Sequence, residues 1–78
     1  MIFIYNKLKG KIVETYGSQS MFAKILGVKV QVVNAKLGNR IRFTQDDIIK
    51  WSNLLGIDSA EIGSYFFVVD NSKHEMRN

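Results

Sequence analysis

The chain has 78 residues, 46% of them hydrophobic and 23% charged, with a net charge of +4, one His, no Cys and no Pro. That length fits one small domain with one core and little room for a catalytic cleft, and the lack of Cys excludes a disulfide framework and a thiolate metal site. No apolar stretch approaches the roughly 20 residues a membrane span needs, and the opening MIFIY is too short for a signal peptide, so a soluble, intracellular protein is expected.

A first helix is predicted from Tyr5 to Tyr16. Leu8, Ile12 and Val13, with Tyr5 and Tyr16, recur at helical spacing, while Lys7, Lys9, Lys11 and Glu14 fall on other faces. Gly17 ends it. Ser18 is a good N-cap for a second helix, Gln19 to Leu26, whose buried face is Phe22, Ala23 and Leu26. Gly27 lets the backbone leave that helix through a left-handed conformation closed to most residues, and Ala23 is small where the helix crosses its successor.

A third helix follows from about Lys29 to Leu37. The run from Gln19 to Asn39 thus reads as a helix-turn-helix, with Phe22, Ala23, Leu26, Val28, Val33 and Leu37 on its inner faces. Placing Val33 and Leu37 inward turns Gln31 and Ala35 outward, with Val32 and Asn34 on the flanks and Val30 at the leading end. The second helix of such a unit can lie in the DNA major groove. There the amides of Gln31 and Asn34 suit adenine edges, and Val30 and Ala35 suit thymine methyls. The alternative for Val30 and Val32 is packing on a neighbouring helix or a second subunit.

Gly38-Asn39 closes the third helix. In the loop that follows, Ile41 and Phe43 are expected to anchor inward while Arg40 and Arg42 point out, where their forked guanidiniums suit phosphate. Thr44-Gln45-Asp46-Asp47 has the form of a helix start, a Thr cap with acids in the first turn. Ile48, Ile49, Trp51, Leu54 and Leu55 then give an amphipathic fourth helix ending at Gly56, with Trp51 in the core or a dimer surface. Asp58-Ser59-Ala60-Glu61 repeats the capping pattern and opens a short fifth helix towards Ile62 and Gly63.

The pattern then changes. Tyr65 to Val69 is an aromatic and β-branched run that reads as a short strand, marginal alone. It is expected to pair with MIFIY, to pair with its copy in a second subunit, or to tuck Phe66 or Phe67 into the core. The polar tail is residues 70–78, leaving residues 1–69 as the domain.

Charge is unevenly spread. Residues 1–43 hold eight Lys or Arg against the single acid Glu14, whereas residues 44–78 hold three bases against six acids. The basic half contains the helix-turn-helix, which suits a surface drawn to phosphate. An enzyme is not expected, since the only His is His74 in the tail and no carboxylate dyad is evident. The serious rival to DNA binding is a protein-interaction module, such as an antirepressor, that keeps the fold and uses the third helix to bind another protein.

From Tyr5 to Phe67 the chain resembles the Cro and repressor-type helix-turn-helix proteins of temperate bacteriophages, within the lambda-repressor-like superfamily. The pieces that carry the resemblance are Gln19 with Phe22-Ala23, Leu26-Gly27-Val28, Val33, Leu37 and Leu54-Leu55-Gly56-Ile57; NKLKGKIVETYGSQ and IGSYFF also resemble small phage proteins of Gram-positive hosts. The resemblance implies a mainly α, compact five-helix domain. It implies sequence-specific binding of a pseudo-palindromic double-stranded operator, as a homodimer, in the switch between lysogenic and lytic transcription. The setting would be the cytoplasm of a bacterial host, with no cofactor and no metal.

By the same resemblance Val30, Gln31 and Ala35 would read bases, and Gln19, Arg40 and Arg42 would contact phosphate. The residues themselves add Asn34 to the base-reading set and Lys29, Lys36 and Asn39 to the phosphate contacts. Three departures stand out: Lys29 where a Ser or Thr cap is usual, apolar Val30 and Val32, and Gly38-Asn39 in place of Asn-Gly.

Overall fold

The computed structural model of the chain describes residues 1–71, so His74 and the rest of residues 72–78 lie outside the described residues. Five helices follow one another: α1 (Asn6–Tyr16), α2 (Gln19–Leu26), α3 (Val30–Leu37), α4 (Gln45–Leu55) and α5 (Ile62–Phe66), the last preceded by a turn of 3-10 helix at Ser59–Glu61. Among the described residues the only β pairing is a single antiparallel bridge between Phe3 and Val69.

Local chemistry sets most helix ends. The Ser18 hydroxyl accepts from the Met21 N–H at 3.1 Å and starts α2. Gly27 ends it in the left-handed region, where the Ala23 carbonyl receives both the Gly27 and Val28 N–H groups. Thr44 and Asp47 form a capping box at the start of α4: the Asp47 N–H donates to the Thr44 hydroxyl, and the Asp47 carboxylate accepts the Thr44 N–H. Tyr5 lies one residue outside α1, as its N-cap, with no side-chain hydrogen bond at that end.

Each helix buries a narrow stripe. Leu8 and Ile12 of α1, Phe22, Ala23 and Leu26 of α2, and Val33 and Leu37 of α3 meet Trp51 and Leu55 of α4 and Tyr65 and Phe66 of α5 in one core. Besides Ile41 of the loop, three apolar residues assigned inward from the sequence lie outside it. Val13 is 52% exposed, one position off the stripe of Leu8, Ile12 and Tyr16. Ile49 is exposed for the same reason, beside the Ile48, Trp51, Ser52 and Leu55 stripe of α4. Val28 is 41% exposed, because the left-handed turn at Gly27 carries the chain away from the α2 face.

The aromatic run after the fourth helix does not form a strand throughout. Tyr65 and Phe66 belong to α5 and are buried, while Phe67 is exposed and Val69 pairs with Phe3. Of the three alternatives left by the sequence, pairing with the amino-terminal segment and insertion of Phe66 into the core both occur within the chain. The Ile4 N–H donates to the Val68 carbonyl and the Asp70 N–H to the Ile2 carbonyl.

The other edge of Phe3 is held by Asn39. Its Oδ1 accepts the Phe3 N–H at 2.8 Å and its Nδ2 donates to the Phe3 carbonyl at 2.9 Å. Asn39 adopts φ +65°, a left-handed conformation that Asn tolerates better than most residues. Gly38, by contrast, has φ −93° and closes α3 without it. A Cβ at Gly38 would lie 3.1 Å from the Asn34 carbonyl oxygen and 3.3 Å from the Arg40 guanidinium, so crowding rather than a positive φ favours glycine there.

Two substitutions test this account by chemical denaturation. Phe66→Ala removes a ring that is 2% exposed and should cost about 3–5 kcal/mol. Asn39→Ala should cost about 1–3 kcal/mol for the lost bonds to Phe3, and Asn39→Gly should recover part of that, since glycine restores the backbone but not the amide. Equal losses for Ala and Gly would show that the left-handed conformation contributes nothing.

Candidate nucleic-acid interface

The α2–turn–α3 pair presents the outer face of α3. Gln31 and Asn34, three residues apart and therefore on one side of the helix, are both exposed. Val30 is half-buried and packs against the core, Val32 is half-buried, and Lys29 is exposed at the N-cap, where its side chain makes no capping bond. Gln19, half-buried, stands at the start of α2.

Three residues assigned to the interface from the sequence serve the fold instead. Ala35, expected to face outward, is 9% exposed. The loop folds back over the last turn of α3, and both the Arg40 and Ile41 N–H groups donate to the Ala35 carbonyl, at 2.8 and 3.2 Å. Lys36, expected to meet phosphate, makes an ion pair with Asp47 and reaches over the Phe43 ring, 5.9 Å from its centroid. Asn39, also expected to meet phosphate, spends its amide on the Phe3 backbone. None of these contacts has a local signature, because each partner belongs to another element.

Of the loop itself, Phe43 anchors inward as expected, but Ile41 is 45% exposed. Arg40 and Arg42 are exposed, and among the described residues neither forms an ion pair. The cations left near α3 are thus Lys29, Arg40 and Arg42, with Lys24 exposed in the last turn of α2, a residue that sequence reasoning passed over. Its signal was its position off the Phe22–Leu26 stripe of a helix adjoining α3.

Beside these cations lie apolar groups. Met21 and Ile25, one turn apart on α2, and Val28 in the turn are all exposed. A cleft opens between Arg40, Arg42, the amino-terminal segment and the end of α5.

Lys36 also sets the ionisation of Asp47. Partial burial works against the charged carboxylate, but the Lys36 ammonium and the Thr44 N–H and hydroxyl together outweigh it, so Asp47 ionises below its ordinary value of 3.8. A depressed folded-state pKa stabilises the fold above the unfolded value, and that stability is lost as the pH falls below 3.8 through the folded value. Lys36→Gln should therefore raise the Asp47 midpoint, measured from its carboxyl carbon shift. It should also lower stability near neutral pH by about 1 kcal/mol and flatten the stability profile across that acidic window. An unmoved midpoint would mean that the pair contributes nothing in solution.

Comparison with known proteins bears on this surface. Residues 1–69 match the family described as "Protein of unknown function (DUF739)". No curated protein matches the chain. The solution structure of the modulator of repression (MOR) of the temperate bacteriophage TP901-1 from Lactococcus lactis is similar, with a TM-score of 0.76 and 34% sequence identity over 86% of this chain and 90% of that one. The chain shares its fold with a small helical phage regulatory protein.

Proposed function

The chain belongs to the DUF739 family, and we propose that it is a phage transcriptional regulator of the Cro type. In this reading α2 and α3 act as a helix-turn-helix, with α3 in the major groove of a pseudo-palindromic double-stranded operator. The observation that carries it is the pair of exposed amides, Gln31 and Asn34, on one side of α3. They are flanked by Lys29, Arg40 and Arg42, none of which is ion-paired among the described residues. Gln31 and Asn34 read base edges, Val30 lies against a thymine methyl, and Lys29, Arg40, Arg42 and Gln19 meet phosphate. Ala35, Lys36 and Asn39 have no part in it. The regulator acts in the bacterial cytoplasm as a homodimer, at least on DNA, and has no catalytic role.

A second reading has its own support. Met21 and Ile25, one turn apart on α2, and Val28 in the turn before α3 are apolar and exposed, which suits a protein partner better than phosphate. The similar phage protein is titled a modulator of repression. On this reading the chain binds a repressor protein and alters its action.

Selection of duplexes from a random DNA pool, followed by titration against scrambled DNA at several salt concentrations, separates the two. The DNA-binding reading expects a pseudo-palindrome with half-sites about 34 Å apart and a steep salt slope. Gln31→Ala should cost about 1–3 kcal/mol at one operator position, whereas Arg40→Ala should weaken binding to all sequences alike. Weak, sequence-independent binding that Gln31→Ala leaves unchanged would sink this reading in favour of the second.

A further inference from the structure

The loop that carries Arg40 and Arg42 also bounds a hollow. A cleft of about 430 Å³ lies between this loop, the amino-terminal segment and the end of α5, within the range of roughly 300–1,000 Å³ typical of small-molecule sites. Five rings are among the residues that line it: Tyr5 and Phe66, almost fully buried, Phe3 and Phe43, half-buried, and Phe67, exposed, with the exposed Ile41 beside them. Arg40 and Arg42 line it too.

That combination has a specific chemical demand. The apolar lining still open to water, Phe67 and Ile41 with the half-buried Phe3 and Phe43, gains by being covered. Two guanidiniums without an acidic partner among the described residues call at the same time for an anion with oxygen acceptors. A hydrocarbon meets only the first need and a bare phosphate only the second. Tyr5 adds a polar group at the boundary. Burial raises the pKa of its phenol while the charge of Arg42 pulls the other way, so the phenol stays protonated at neutral pH as a hydrogen-bond donor close to Arg42.

We propose that this cleft binds a small amphipathic anion, an aromatic or aliphatic group carrying a carboxylate, sulfonate or phosphate, with the apolar part on Phe3, Ile41, Phe43 and Phe67 and the charge on Arg40 and Arg42. Because the same two arginines are the proposed phosphate contacts, an occupied cleft competes with DNA, and the ligand acts as an effector that releases the operator. That regulatory consequence rests on the DNA-binding reading; the site itself does not.

The test uses the full chain without DNA. The aromatic sulfonate 1-anilinonaphthalene-8-sulfonate is titrated in, and both its fluorescence and that of Trp51 are followed; Trp51 is a built-in reporter because its ring meets Phe43 edge-on at 4.7 Å. The expected result is saturable binding of one probe per chain. Binding should weaken at least fivefold when Arg40→Gln and Arg42→Gln are combined, stay unchanged in Val13→Ser on α1 outside the cleft, and be displaced by naphthoate but not by equal inorganic phosphate. Unsaturable binding, equal affinity in the arginine variant, or displacement by phosphate alone would overturn the site. So would affinity that falls as protein concentration rises, since that would mark a second copy of the chain as the occupant. A repeat with the selected duplex present then tests the competition. A chain that binds the probe but no DNA would leave the cleft standing and remove the DNA-binding reading, and joint binding of both would remove the regulation alone.

Discussion

The contact on which the rest of the structure depends is the edge-to-face meeting of Phe43 with three other rings. Phe43 touches Trp51 at 4.7 Å, Phe66 at 5.2 Å and Tyr5 at 5.3 Å between centroids, in the tilted arrangement that aromatic quadrupoles prefer. The chain of rings continues from Trp51 to Phe22 and Tyr16, and from Tyr5 to Phe3. One loop residue therefore ties α1, α2, α4, α5 and the amino terminus together. Phe43 directly precedes the Thr44 cap, so its seating also fixes where α4 begins.

That arrangement determines which charges face solvent beside α3. Lys36 lies over Phe43 and pairs with Asp47 in the first turn of α4. This joins the end of α3 to the start of α4, and it withdraws a cation from the surface. Asn39 is likewise spent on Phe3, which holds the amino-terminal segment against the loop. What is left for a partner is narrower than the count of basic residues suggests: Lys29 at the leading end of α3, and Arg40 and Arg42 in the loop beyond it. The loop leaves Arg40, Ile41 and Arg42 all exposed and brings Phe43 in, so one short segment both packs a ring against the core and carries two of the cations beside α3.

Linkage of the termini serves the same loop. The Phe3–Val69 bridge and the Asn39 amide hold the amino-terminal segment between the loop and the end of α5, and the space among these three pieces is the ring-lined cleft. Neither the cleft nor the reach of its arginines exists in any single element.

What the sequence alone determined is what acts within about a turn of chain. Ser18, Gly27, Thr44 with Asp47, and Gly56 mark helix ends through bonds and backbone conformations confined to neighbouring residues, and the spacing of Phe22, Val33, Trp51 and Leu55 marks the buried stripes. Gln31 and Asn34 were legible as outward amides for the same reason. Tertiary structure alone decided that Tyr65 and Phe66 are helical, since burial between α1 and α4 outweighed their strand preference, and that Val13, Val28, Ile41 and Ile49 stay exposed. It also decided that Ala35, Lys36 and Asn39 belong to the scaffold. Their partners lie 11 and 36 residues away or in a loop folded back over the helix, and a periodic pattern carries no record of which distant group a side chain will meet once the helices pack.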